Sequence, residues 1–123
     1  MRPFRTGVLA VPAELAALRR AVRAHLDAPC DDLQLCVSEL VGNVILHVGE
    51  GTPVTLAITR TPEGRTRVEV GDPDPRLWPV LRRATEEDEG GRGLALVGAV
   101  ATRWGVRPGP HSGKTVWAEL RHP

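Results

Sequence analysis

The sequence predicts an α+β fold, a two-layer α/β sandwich with helices on one face of a mixed, largely antiparallel sheet. Three observations predict it. The stretches "VTLAITR" and "TRVEVGD" alternate in polarity around the turn "TPEG", which is the pattern of an antiparallel hairpin. Apolar residues recur at helical spacing on both sides of that hairpin, with strand-like segments at each end of the chain. The resulting order is strand, helix, helix, two strands, loop, helix, two strands. Finally, 123 residues with ordinary globular usage, 41% hydrophobic and 25% charged, are enough to bury a core without staples, so residues 1–123 are read as a single domain.

The elements follow in order. "FRTGVLAV" reads as a first strand, and Pro12 opens a helix over residues 13 to 26, where Leu15, Leu18, Val22 and Leu26 form the apolar stripe and Arg19, Arg20 and Arg23 the wet face. "DAPCDD" breaks the chain, and Asp31 or Asp32 is placed to cap a second helix running to about Val48. "GEGTP" ends it and the hairpin follows. "PDPRLWPVLRRATEEDEGGRG" carries three of the 11 prolines, a charge run and three glycines, so it reads as a long loop, of the kind that serves function in small domains. "LALVGAVATRW" returns to helical spacing, and "WGVRPG" and "GKTVWAEL" supply two closing strands.

Composition excludes several classes. A formal net charge of +1, one Phe, three Trp and no Tyr give neither the field nor the stacking platforms of a direct nucleic-acid binder. Apolar runs are too short to cross a bilayer, and "MRPFRTG" leads into no apolar signal core, so a cytoplasmic protein without membrane attachment is the default. Cys30 and Cys36 read as packed thiols; neither a disulfide frame nor zinc is expected.

One motif is a decoy. "GPHSGKTV" resembles the phosphate-binding G-x-x-x-x-G-K-[ST] loop, but Pro108 stands at its first glycine and no helix can follow "VWAELRHP". Lys114 therefore reads as a turn residue.

The second helix carries the main puzzle. Glu39, Asn43 and His47 recur every four residues and stack along one line, with Gly42 beside them, on a helix otherwise apolar over most of its circumference. Two readings stand: the solvated side of an amphipathic helix, or polar groups looking into a pocket, where a buried Glu finds a partner or water. Two further segments bear on the choice. "VEVGDPDP" sets Asp72 just past a strand end, where a carboxylate can accept from an exocyclic amine such as adenine's, or merely make a turn. "EGGRGLALV" sets Gly91 and Gly93 before a helix, where bare amides and the helix dipole receive phosphate, or the glycines merely end a loop.

Together these segments resemble the GHKL, or Bergerat-fold, ATP-binding domains shared by histidine kinases, chaperones, gyrase-type ATPases and small anti-sigma kinases. "SELVGN" with His47 is similar to the N-box, "VGDPDP" to a degraded first glycine box, "GGRGLAL" to the second, and "GKTVWAEL" with Thr115 to the closing strand. The likeness covers nearly the whole chain. It is greatest to RsbW-type anti-sigma factor serine/threonine kinases, whose ATP domain stands alone.

The resemblance implies cofactors ATP and Mg²⁺, with Asn43 holding the metal, Glu39 orienting or deprotonating a partner's hydroxyl, and Asp72 selecting adenine with support from Thr115. It further implies that Gly91, Arg92 and Gly93 approach the phosphates, that Leu94 packs, and that His47 is either a nucleotide contact or simply a polar helix end. The implied partners are a sigma factor and an anti-sigma factor antagonist, with a homodimer as the common assembly. Two departures stand out. Asp74, between Pro73 and Pro75, replaces the family's usual glycine, which predicts weaker nucleotide binding. Glu89 or Gly90 replaces a lid arginine, which leaves γ-phosphate charge to Arg92, Arg82 or Arg83. The implied function is an ATP-dependent serine/threonine kinase that phosphorylates the antagonist and works by partner switching. The alternatives are a regulatory binding module without kinase activity and a plain ATPase.

Overall fold

The computed structural model describes residues 2–76, 96–109 and 112–121. Strand β1 (Phe4–Leu9) leads into helix α1 (Pro12–His25), then α2 (Asp31–His47), β2 (Pro53–Arg60), β3 (Thr66–Asp72), a helical segment over residues 96–100, β4 (Arg103–Pro108) and β5 (Lys114–Leu120). The sheet order is β1-β2-β3-β5-β4.

Local chemistry sets these boundaries. Pro12 occupies the first turn of α1, where its missing N–H costs nothing, and Glu14 Oε1 reaches back to accept from the Leu9 amide at 3.0 Å. The expected Asp31 or Asp32 cap is corrected: Cys30 is the N-cap and makes no side-chain cap bond, while both aspartates lie in the first turn, where they face the positive end of the helix dipole. Between β2 and β3, the Thr61 amide donates to the Arg65 carbonyl and Gly64 takes φ +83, a conformation that glycine adopts without strain. The helix expected over "LALVGAVATRW" has given way to strand by Arg103, and Trp104 belongs to β4.

Every strand pairing is antiparallel. The sheet was expected to be largely antiparallel with a mixed part, and the topology explains why no parallel pair forms among the described residues. The connection from β3 to β4 makes those strands run the same way, but β5 inserts between them and pairs with both.

Two apolar rows cross the sheet on its helix-covered face. Leu56, Val70, Val116 and Val106 are register neighbours in one row, and Ile58, Val68, Ala118 and Trp104 in the next. They meet Leu18 and Val22 of α1 and Leu33, Val37, Leu40, Val41 and Val44 of α2 in one core. Among the described residues no helix is long and apolar enough to cross a membrane.

Among the described residues the opposite face carries no helix, and it is polar. Glu119 lies at its centre, 2% exposed, with Arg67 Nη1 donating to Oε2 at 2.6 Å, Arg103 Nε to Oε1 at 2.8 Å, and Arg65 Nη1 3.6 Å from Oε1. Arg103 first, then Arg67, hold its carboxyl down at about 2 against the opposing effect of burial. Arg67 stacks over the Trp117 ring at 4.2 Å and Arg103 at 5.5 Å.

Candidate functional site

Strand parity decides what the end of the sheet presents. With Val68 and Val70 turned to the helices, Asp72, the last residue of β3, turns the same way, and its register partner Lys114 joins it from β5. Both are buried: the Lys114 side chain is 1% exposed and that of Asp72 is 0%. Lys114 is therefore no turn residue. Its ammonium donates to Asp72 Oδ1 at 3.1 Å and to the Asp74 carbonyl at 3.4 Å, and it lies 3.7 Å from Asp74 Oδ2. The Asp74 amide also donates to Asp72 Oδ1, at 2.8 Å. Both donors to the Asp72 carboxylate fall on one oxygen. Asp72 Oδ2 is buried and has no hydrogen-bond partner among the described residues. Asp74 is gripped from outside by the exposed Arg76 guanidinium, which with Lys114 holds its carboxyl at about 2. An open cavity of about 520 Å³ lies at the Asp72 end of the sheet, lined by Gly7, Glu14, Val54, Gly71, Asp72 and Pro73 but not by Lys114, Asp74 or any residue of α2.

The polar line of α2 is not the most exposed side of that helix. Its exposed residues are Asp31, Asp32 and Leu46, whereas Asn43 is 8% exposed and Glu39 and His47 are half-buried. Burial pushes the Glu39 carboxyl above its ordinary range, because the charged form loses water. His47 Nε2 is buried without a partner among the described residues. Gly42, beside the line, opens onto space: a Cβ built there meets nothing within 4 Å. Because α2 packs on β3 and β5, this line and the Asp72–Lys114 pair belong to the same side of the sheet.

Thr115 is not brought to Asp72. It faces the other side of the sheet, where its hydroxyl donates to the Gly109 carbonyl at 2.9 Å; the neighbour of Asp72 across the strands is Lys114. Gly91, Arg92, Gly93 and Leu94 lie outside the described residues, as do Arg82, Arg83, Glu89, Gly90 and most of the 73–92 loop.

These groups fit an adenine nucleotide in one specific respect. A buried carboxylate oxygen without a donor calls for one, and an exocyclic amine supplies it. For a metal, no group of three His, Cys, Asp or Glu side chains converges among the described residues. A Mg²⁺ ion here would rest on a single side-chain oxygen such as that of Asn43 and on ligand oxygens, a pattern that suits this cation.

The chain was compared with known proteins. A family model described as the histidine kinase-like ATPase domain matches residues 8–120. An uncharacterized protein of Streptomyces coelicolor is 54% identical over 71 residues, a match spanning 57% of this chain and 68% of that one. Among solved structures, the RsbU and RsbW domains of Rv1364c from Mycobacterium tuberculosis superpose with a TM-score of 0.68 at 19% identity. That match covers 100% of this chain, which spans 34% of the other. The SiaB–SiaC complex from Pseudomonas aeruginosa contains a chain matched with a TM-score of 0.55 at 16% identity, covering 95% of this chain and 88% of that one. At these identities the structural matches speak for the fold.

Proposed function

The chain belongs to the histidine kinase-like ATPase family, and from that membership we propose that it binds Mg·ATP and transfers the γ-phosphoryl group to a serine or threonine of a protein partner. The partner class is an anti-sigma factor antagonist, and the consequence of transfer is the capture or release of a sigma factor in the cytoplasm. The observation that carries the nucleotide part is the buried, unpartnered Oδ2 of Asp72 beside an open cavity.

Each residue has a physical task in this reading. Asp72 accepts the exocyclic amine of the base through Oδ2. Asn43, held nearly out of water on α2, offers its amide oxygen to the metal, which when bound spreads and neutralises phosphate charge. Glu39 stands one turn before it. Its carboxyl is made more basic by burial and so is better matched to accepting a hydroxyl proton. His47 Nε2 provides a further polar contact one turn beyond Asn43. Gly91, Arg92 and Gly93 are assigned the phosphates, with Leu94 packing behind them, as the resemblance implies. Thr115 is left without a part, because its hydroxyl is committed to Gly109 on the other face.

A second reading, a regulatory binding module with weak nucleotide affinity and no transfer, is favoured by one observation: Lys114 already occupies an oxygen of Asp72. Purified protein, Mg·ATP and a candidate antagonist separate the two. Labelled phosphate on the antagonist, lost in Glu39→Ala and Asn43→Ala while both variants stay folded, is the expected result. Tight partner binding with no label transferred establishes the module instead. Calorimetry showing no ATP binding at all overturns both the kinase reading and the assignment of Asp72.

A further inference from the structure

Strand alternation turns a second set of side chains to the face of the sheet away from α1 and α2. Register places Arg5, Glu69 and Trp117 in one row across it, Arg67, Glu119 and Arg103 in the next, and Arg107 beside Thr115. Arg65 reaches Glu119 from the hairpin turn. Among the described residues five arginines thus meet two acids there, with Glu63 on the exposed turn adding a weaker negative charge near Arg103, in a chain whose formal net charge is only +1. Both acids are consumed within the face. Glu119 takes Arg67 and Arg103, and Glu69 takes Arg67 at 2.6 Å and Arg107 at 3.2 Å. These bonds engage at most two of the five donors on each guanidinium, and Arg103 and Arg107 remain 57% and 48% exposed. Positive charge and free donors are left over.

We propose that this face is a docking surface for an acidic segment of a protein partner, whose carboxylates pair with Arg5, Arg103 and Arg107 while its chain crosses Trp117. Charge complementarity is the ground for that occupant. The arginines are also held in place beforehand: Glu69 and Glu119 fix their heads, and the Trp117 ring lies under Arg67 and over Gly105, where a Cβ would come within 2.9 Å of it. Side chains already ordered lose little freedom on binding, and Arg and Trp are the types that carry most of the energy of interfaces. A cleft of about 410 Å³ on the same face is lined by Arg5 and Arg107, from the edge strands β1 and β4, with Thr55, Gly71 and Thr115 among the residues between. It gives carboxylates a place to meet cations from both margins of the sheet. A nucleic acid fits less well, because Glu69 and Glu119 oppose phosphates and Trp117 is the one aromatic residue of the face among the described residues. A second copy of the chain would set arginine against arginine. The surface lies across the sheet from Asp72 and Lys114, so the proposal stands apart from the nucleotide reading.

The test uses the full chain without nucleotide, so its result does not depend on ATP binding. The probes are fluorescein-labelled decaglutamate and a labelled single-stranded oligothymidylate of equal charge, followed by anisotropy at physiological ionic strength, with thermal unfolding to show that each variant is folded. Decaglutamate is expected to bind wild type and to bind the Arg103→Gln, Arg107→Gln double variant about tenfold more weakly, the sum of two partly exposed ion pairs. The Arg20→Gln, Arg23→Gln double variant removes the same charge from the exposed side of α1 and is expected to stay within about twofold of wild type. The indole N–H resonance of Trp117, identified by its absence in Trp117→Phe, is expected to shift during the titration. Equal losses in the two double variants reduce the effect to overall charge and overturn the proposal, as does an unmoved Trp117 resonance or no binding of decaglutamate. Tighter binding of oligothymidylate with the same dependence on Arg103 and Arg107 assigns the face to nucleic acid instead and overturns it. A wild-type dimer that the Arg103→Gln, Arg107→Gln variant splits in sedimentation gives the face to a second copy, with the same consequence. Should that variant not fold, Arg5→Gln, which breaks no ion pair among the described residues, decides alone: a loss of about threefold supports the docking surface, and an unchanged affinity overturns it.

Discussion

The sheet buries one carboxylate on each face, and the two are satisfied in opposite ways. Glu119, on the helix-free face, has both oxygens engaged by arginines whose heads lie near water, Arg103 being 57% and Arg65 39% exposed. Asp72, on the helix-covered face, is paired with a lysine that is itself out of water and keeps one oxygen empty among the described residues. Saturation marks a structural role, since every group put out of water recovers a partner. An unfilled valence at equal burial is uncommon, and a donor from outside the chain is one way to complete it. The comparison is therefore a ground for the ligand role proposed for Asp72 and leaves Glu119 to architecture, though both are Asp or Glu at strand positions.

The largest expected effect breaks the pair on the side with no route to water. Asp72→Ala leaves Lys114 with Asp74 as its remaining acid and is expected to cost about 3 kcal/mol of stability, the low end for breaking a buried pair because the ammonium keeps one partner, read by urea denaturation, and to abolish ATP binding. Glu119→Ala also removes a buried acid, but Arg65 and Arg103 can turn to solvent and Arg67 keeps Glu69 as its partner, so the expected loss is smaller, about 2 kcal/mol. Its ATP affinity is expected to equal wild type. A greater loss in Glu119→Ala than in Asp72→Ala inverts the comparison.

Acid sharpens the same contrast. The Glu119 carboxyl is held at about 2 against an ordinary 4.5, so its contribution to stability is complete above pH 4.5 and is lost as pH falls toward 2. Asp74, also at about 2, behaves alike. Glu39 has the opposite sign: its raised value means that the folded state holds the proton more firmly, so its ionisation subtracts stability as pH climbs above 4.5. Melting temperatures between pH 5 and 2 are expected to fall steeply in wild type and less steeply in Glu119→Gln. Parallel curves for the two proteins dismiss the arginine cluster as a source of stability.

Much of this architecture was legible in the chain, and the failures have physical reasons. The hairpin was readable because "VTLAITR" and "TRVEVGD" alternate and Gly64 closes a turn that needs positive φ. Helix α2 was readable from its apolar circumference, and its polar line from four-residue spacing alone. Lys114 was missed because "HSGKT" is rich in turn formers and a lysine is seldom buried. The signal was nevertheless present. Val116, Ala118 and Leu120 face the core, so parity carried two residues back puts Lys114 inward and Thr115 outward. The partners of Asp72 and Glu119 were beyond reach, because they come from strands up to 52 residues away and only the register joins them. Cys30 as the cap of α2 had no sequence signal, since its side chain makes no capping bond.

The smallest expected effect concerns Gly42 and bears on whether the helix-covered side holds space for a ligand. A glycine inside a helix costs about 0.5–1 kcal/mol relative to alanine, because the unfolded chain has more freedom to lose. Nothing within 4 Å opposes a Cβ at this position, so Gly42→Ala is expected to raise stability by about that amount. The residue stands next to Asn43, and a bound nucleotide using that amide would pass close to the added methyl. ATP affinity is therefore expected to fall while stability rises, a pair of changes that a solvated helix face cannot produce. Thermal unfolding and calorimetry on the one variant read both. A gain in stability with unchanged ATP affinity would move the nucleotide away from the line of Glu39, Asn43 and His47 and leave Asp72 as the contact proposed among the described residues.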